Sequence, residues 1–143
     1  MKPLRVALVL GLLSAAAAFA QGAPNVEVFK SASCGCCSGW VEHMRQNGFQ
    51  VTTRDVPDVP AQRKRLGMPD RLGSCHSAKV GGYVIEGHVP VEDIRRLLKE
   101  KPNAIGLAVP GMVPSSPGMA GPKTAYDTLL VGRDGTTRVF ASH

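Results

Sequence analysis

Three of the four cysteines, Cys34, Cys36 and Cys37, fall within one short stretch, and the fourth, Cys75, lies far along the chain. Thiols offer two chemistries, exchange with disulfides and binding of soft metal ions. The structural staple is a third use, and the default for four cysteines in an oxidising compartment. It fits this spacing poorly. A bridge inside residues 34–37 closes almost no loop and so gains little entropy, and one between the neighbours Cys36 and Cys37 would be strained. Chemistry on the sulfurs themselves explains the cluster better.

The surrounding residues place the cluster on a strand-to-helix turn. Asn25 to Lys30 alternates polar and apolar, as a short strand does. Trp40, Val41 and Met44 then recur at helical spacing, with Met44 on the core stripe, and Asn47-Gly48 ends the helix. Phe49 to Val56 is again strand-like. Cys34 and Cys37 therefore stand in C-x-x-C spacing where a helix opens, and unpaired N–H groups there favour thiolate. In a β-α-β setting that motif reads as a thioredoxin-like redox motif.

The rest of the chain extends this pattern. After the turn at Val56 to Pro60, Ala61 to Leu66 predicts a short helix ended by Gly67, and Met68 to Ser74 a loop. Ala78 to Val89 predicts a hairpin around Gly81-Gly82, with Tyr83 to Ile85 as its second strand. Pro90 suits the start of a helix whose apolar stripe is Val91, Ile94, Leu97 and Leu98. Its Glu92 and Asp93 at one end and Lys99 and Lys101 at the other match the helix dipole. The order β-α-β-α-β-β-α predicts an α/β, thioredoxin-like sandwich of sheet and helices. In that fold the loop before the third strand faces the C-x-x-C motif and usually carries a cis-proline. Here that place holds Ser74-Cys75-His76, which would bring the fourth sulfur to the other three.

A C-terminal extension follows. Pro110 to Pro122 is rich in proline and glycine and carries Met112 and Met119, so it predicts a rigid lid bearing thioethers. The alternative is that both methionines fill the interior of a long loop. Ala125 to Val131 and Thr136 to Phe140 flank Gly132-Arg133-Asp134-Gly135, a hairpin that would extend the sheet or pack beside it. Among the histidines, His88, just before the last helix, is a candidate ligand or redox-tuning group, and His76 is similar. Adjacent strand residues face opposite ways, however, so His76 and Cys75 need not share a ligand. His43 is expected to be exposed and His143 terminal and mobile; Met68 has no assigned role.

At 143 residues and 15.1 kDa the chain suffices for one compact domain. With 43% apolar and 20% charged residues it is not a disordered chain, and 5% aromatics make a base-stacking platform implausible. Lys2 and Arg5, the apolar run Val6 to Ala18 and the Ala18-Phe19-Ala20 cleavage site read as a secretory signal peptide, 1–20, whose apolar run is short for a transmembrane helix. Residues 21–143 are then one mature domain, with 21–103 as core and 104–143 as loop and hairpin extension. The location expected is periplasmic or secreted, with no membrane and no nucleic acid among the partners. Part of the pI of 9.5 leaves with the signal, and Arg63-Lys64-Arg65 is most simply a solvated face or loop.

Five motifs together resemble the CopG-type copper-resistance family of small exported proteins, long filed as a domain of unknown function. They are Cys34-Gly35-Cys36-Cys37 with Gly39-Trp40, Ser74-Cys75-His76, Glu86-Gly87-His88-Val89-Pro90, Gly106 to Met112, and Ser116-Pro117-Gly118-Met119. The resemblance runs from about Val26 to Phe140. It implies a thioredoxin-like fold adapted to bind several copper ions through bridging cysteines, here Cys34, Cys36, Cys37 and Cys75, with a redox role in periplasmic copper handling. The family loop usually reads G-M-P-x-G-S-P-G-M; here Val113 displaces its first proline.

Donor chemistry agrees. Thiolates with nearby thioethers select Cu(I), and neighbouring sulfurs that point apart suit a multinuclear cluster better than one tetrahedral zinc. The expected ligands are Cys34, Cys36, Cys37 and Cys75, helped by Met112, Met119 and His88. The expected partners are copper ions and other periplasmic copper-handling proteins. Whether copper is only bound or also oxidised is left open. The alternative is a thiol–disulfide oxidoreductase with Cys34 as nucleophile and Cys37 as resolving thiol.

Overall fold

A computed structural model describes residues 24–143; the signal-peptide expectation lies outside them. Strand β1 (Val26–Lys30) leads through a turn into helix α1 (Gly35–Gln46), followed by β2 (Val51–Asp55) and α2 (Val59–Arg65). A single 3-10 turn at Asp70–Leu72 precedes β3 (His76–Val80) and β4 (Tyr83–Glu86). Helix α3 (Val91–Glu100), β5 (Ala104–Ala108), β6 (Asp127–Gly132) and β7 (Thr137–Ser142) complete the chain.

The strands form one seven-stranded sheet in the order β2-β1-β3-β4-β5-β6-β7. β2 runs parallel to β1, β3 and β4 are antiparallel to their predecessors in the sheet, and β5 returns parallel to β4. The element order expected through α3 is therefore present, and the C-terminal hairpin extends the sheet through β5. The residues of β5 carry no strand pattern of their own. Its middle residue, Gly106, packs so tightly on the β4 backbone that a Cβ would overlap the Val84 carbonyl oxygen. Glycine weakens a strand signal in sequence, and here close approach of two backbones requires it.

Side-chain alternation divides the core between the two faces of the sheet. Val28, Ala78, Ile85, Leu107 and Leu130 face α1 and α3, where Trp40, Met44, Ile94 and Leu97 are buried. On the other face Val84, Ala108 and Val131 pack with Leu72 and Met68, so Met68 is a core residue between α2 and the 3-10 turn. Each such large side chain contributes about 1.5–3 kcal/mol of burial. α1 ends at Asn47 with Gly48 at φ +86°, as read from the sequence. α2 begins two residues earlier than expected, because Asp58 caps it by accepting from the Ala61 N–H and Pro60 sits in its first turn.

Two surface expectations are corrected. Arg63 is buried at 6% exposure and not solvated, although Lys64 and Arg65 are exposed. His143 is not loose: its ring stacks on Tyr126 at 4.8 Å, Nε2 lies 2.9 Å from Asp93 Oδ2, and its backbone pairs with Tyr126 in both directions.

Candidate metal centre

Cys34 is the N-cap residue of α1, so Cys36 and Cys37 lie in its first turn. A helix start positions side chains on a fixed screw, and Cys37 points inward while Cys36 stays half-buried at the rim. A disulfide joins Cys34 to Cys37; Cys36 and Cys75 carry free thiols. Cys75 lies immediately before β3, and β3 pairs directly with β1, the strand that feeds α1. That adjacency crosses the sequence gap: Cys75 Sγ stands 3.8 Å from Cys36 Sγ, and Cys37 Sγ 3.6 Å from the Cys75 carbonyl oxygen.

Two ligand groups meet at Cys75. One comprises the four sulfurs of Cys34, Cys36, Cys37 and Cys75, all within 4.8 Å of one another. The other comprises Cys75, His76 and His88, again within 4.8 Å. His88 Nε2 is 2.9 Å from Cys75 Sγ, and His76 Nδ1 is 3.6 Å from it. The alternation argument that separated Cys75 from His76 fails because Cys75 precedes the strand. The His76 ring lies 4.6 Å from Trp40 and 5.0 Å from His88, and its Nε2 is buried without a partner.

Burial keeps this end of the site uncharged. It pushes the Cys75 thiol up to about 12, helped by the nearby Cys36 sulfur. It lowers His76 to about 3, with His88 adding to the effect, and it lowers His88 as well. Neutral His88 has a defined tautomer: Nδ1–H donates to the Pro117 carbonyl at 2.7 Å, which leaves the Nε2 lone pair facing Cys75. The neutral thiol donates its proton to that lone pair. An imidazole whose Nδ1–H is fixed by a backbone carbonyl, with its Nε2 lone pair turned to a thiol that becomes a ligand on losing its proton, is oriented as metal-binding histidines usually are.

The segment from Pro110 to Pro122 folds over these groups at three points. Ser74 Oγ–H donates to the Gly111 carbonyl at 2.5 Å, and Gly111 N–H donates to the Gly73 carbonyl at 2.9 Å. Pro117 receives His88. Gly118, at φ +84°, lies against the backbone of Gly39 and Trp40 in α1. Met112 and Met119 each adjoin one of these anchors; Met112 is 51% exposed and Met119 half-buried. His43, expected to be exposed, is half-buried on α1 with Nε2 unpartnered, and burial lowers its pKa. Among the described residues no helix is long and apolar enough to cross a membrane.

Fold and site together define a mixed α/β protein that gathers thiols and imidazoles from three separate segments at one end of the neighbouring strands β1, β3 and β4 of a seven-stranded sheet. The family described as "Protein of unknown function, DUF411" matches residues 72–119, the half of the site that holds Cys75, His76, His88 and both loop methionines. No curated protein matches the chain. Two solved structures, forms 2 and 1 of the copper resistance protein CopG, superpose with TM-scores of 0.80 and 0.79. Both are 40% identical, and each match covers 85% of this chain and 98% of the other. The chain belongs to the CopG family of copper resistance proteins.

Proposed function

We propose that this is an exported, thioredoxin-like copper-binding protein for copper resistance, which takes up several Cu(I) ions through Cys34, Cys36, Cys37 and Cys75. The observation that carries the reading is that Cys75 belongs to two ligand groups at once, one of sulfur and one of nitrogen. A thiolate has several lone pairs and bridges two metal ions when ligands lie on both sides of it. Copper is the cargo. The thiolate side suits Cu(I), and the imidazole side suits either oxidation state, so the pair supports Cu(I)/Cu(II) redox chemistry. His88 adds its free Nε2, and Met112 and Met119 add thioethers as the loop closes over the rim. Full loading requires that an external dithiol reduce the Cys34–Cys37 disulfide, giving up two electrons and two protons to free both sulfurs while it becomes a disulfide itself.

The mature protein acts in the periplasm with copper ions and other copper-handling proteins as partners, and needs neither a membrane nor nucleic acid. One observation favours a second reading. The Cys34–Cys37 disulfide sits at a helix start, where thioredoxin-like oxidoreductases exchange electrons. Anaerobic Cu(I) titration of the reduced chain from Gln21 to His143, against a competing chelator and with thiols counted, separates the two. Tight uptake of two or more ions with loss of all four free thiols supports the copper reading. Weak uptake with rapid closure of Cys34–Cys37 overturns it in favour of the oxidoreductase.

A further inference from the structure

Arg63 and Glu86 are a buried ion pair, with side chains 7% and 0% exposed and Nε 2.7 Å from Oε1. Burying two charges costs several kcal/mol per ion before their attraction is counted, and a well-packed apolar pair is often as stable. Their geometry shows a use beyond stability. The backbone of Ser74, next to Cys75, is held on both sides of its Cα: Ser74 N–H donates to Glu86 Oε1 at 2.8 Å, and Arg63 Nη2–H donates to the Ser74 carbonyl at 2.8 Å. Ser77 Oγ–H donates to the other carboxylate oxygen at 2.5 Å. Glu86 therefore satisfies three donors, and together with Arg63 it fixes the two peptide planes that flank the Ser74 Cα.

The same carboxylate lies two residues before His88 in the chain. Between them Gly87 turns at φ +73°, and a Cβ on it would come within 2.6 Å of Ser74 Oγ. On the other side, a Cβ at Gly73 would lie 2.7 Å from the Arg63 guanidinium. Both glycines mark places where the backbone is drawn against this pair. The two partners of the 2.9 Å contact, Cys75 Sγ and His88 Nε2, are thus each carried on a segment anchored by the same carboxylate.

We propose that Arg63 and Glu86 are positioning residues that set the spacing between Cys75 and His88, and so tune metal capture at the nitrogen-bearing end of the site. The assignment rests on the copper reading only for its consequence; the positioning itself is a property of the metal-free chain. Arginine is required because one guanidinium serves Glu86 and the Ser74 carbonyl together, whereas a lysine ammonium on a flexible stem keeps the charge without that planar fork.

The test is Arg63→Lys, with Glu86→Gln as a second variant, each in the parent and in a Cys36→Ser background where Cys75 is the one free thiol of the oxidised protein. Thermal unfolding first establishes that each variant is folded. Alkylation of Cys75 by iodoacetamide in the metal-free Cys36→Ser protein should accelerate at least about fivefold, because the thiol is no longer held on His88. Cu(I) affinity of the reduced variant should fall by about tenfold or more, in the range found when partners that orient metal ligands are removed. X-ray absorption of the loaded variant should show fewer nitrogen neighbours per copper than the parent. Folded variants whose alkylation rate and nitrogen count match the parent overturn the proposal, even if copper still binds. A change in alkylation in a protein whose parent takes up no copper keeps the positioning role and overturns the copper reading.

Discussion

Cys75 Sγ and His88 Nε2 lie 2.9 Å apart, although the two residues reach that point from opposite sides of the β3–β4 hairpin. Gly87 N–H donates to the His76 carbonyl, which continues the β3–β4 pairing to the residues that flank the site. The contact therefore continues the register of the sheet one step beyond its last paired residues.

His88→Ala follows directly from that contact. It removes the Nε2 lone pair and the Nδ1–H bond to Pro117, so both the site and the loop over it lose an anchor. Cu(I) affinity should fall by about tenfold or more, while the Cys34–Cys37 disulfide still forms in oxidised protein. A chelator-competition titration paired with thiol counting checks both parts. Unchanged affinity would remove His88 from the ligand set.

The approach of Gly39 to Gly118 gives a second expectation. A Cβ at Gly39 would come within 2.7 Å of the Gly118 carbonyl oxygen and 3.1 Å of its Cα, backbone atoms and not the end of a flexible side chain. Gly39→Ala should therefore lift the 110–122 loop from α1 and destabilise the fold by about 1–3 kcal/mol, the usual cost of such a clash. Gly35→Ala, with no heavy atom near its Cβ position, is the control and should change stability by less than about 0.5 kcal/mol. Denaturant melts of the two variants side by side decide it. Equal midpoints would mean that the loop is held only from Ser74 and His88.

Much of the framework that performs this positioning is legible in the residues. The alternation of Asn25 to Lys30, the Trp40–Met44 stripe and the Ile94–Leu97 stripe are periodic, and periodicity survives in one dimension. The Cys36–Cys75 approach could be anticipated because a β-α-β-α-β order places the start of the third strand beside the first helix. Arg63 could not be found that way. Inside Arg63-Lys64-Arg65 it is chemically like its neighbours, and only long-range partners, the Glu86 carboxylate and the Ser74 carbonyl, take it out of solvent. Strand β5 was hidden for a different reason, since Gly106 satisfies a close backbone contact that leaves no propensity signal. His143 was hidden because a position at the end of a chain says nothing of the partners Asp93, Thr128 and Tyr126 that receive it.

That last group of contacts predicts a stability effect remote from the cysteines. His143→Ala removes the imidazole contacts to Asp93 and Thr128 and the stacking on Tyr126, and leaves a buried carboxylate at the start of α3 unpaired. The partly exposed ring limits the electrostatic share, so the expected loss is about 1 kcal/mol. A thermal melt at neutral pH measures it. A midpoint equal to the parent's would mean that β6 and β7 are held without this clasp.

Acid should weaken the metal-free protein through its half-buried helix histidine. Burial holds His43 below the ordinary imidazole value; Glu92 opposes that shift and Arg95 reinforces it, both from α3. A group with a lowered folded-state pKa binds fewer protons folded than unfolded, so its stabilising share is complete above the unfolded value of 6.5 and is lost as pH falls below it. His76 and His88 are lowered in the same sense and steepen the slope. His43→Gln removes one titrating group and no charge at neutral pH. The variant should therefore lose less stability than the parent between neutral pH and pH 5, as read by urea midpoints at each pH. Parallel pH profiles would show that His43 protonates as freely in the fold as in the unfolded chain.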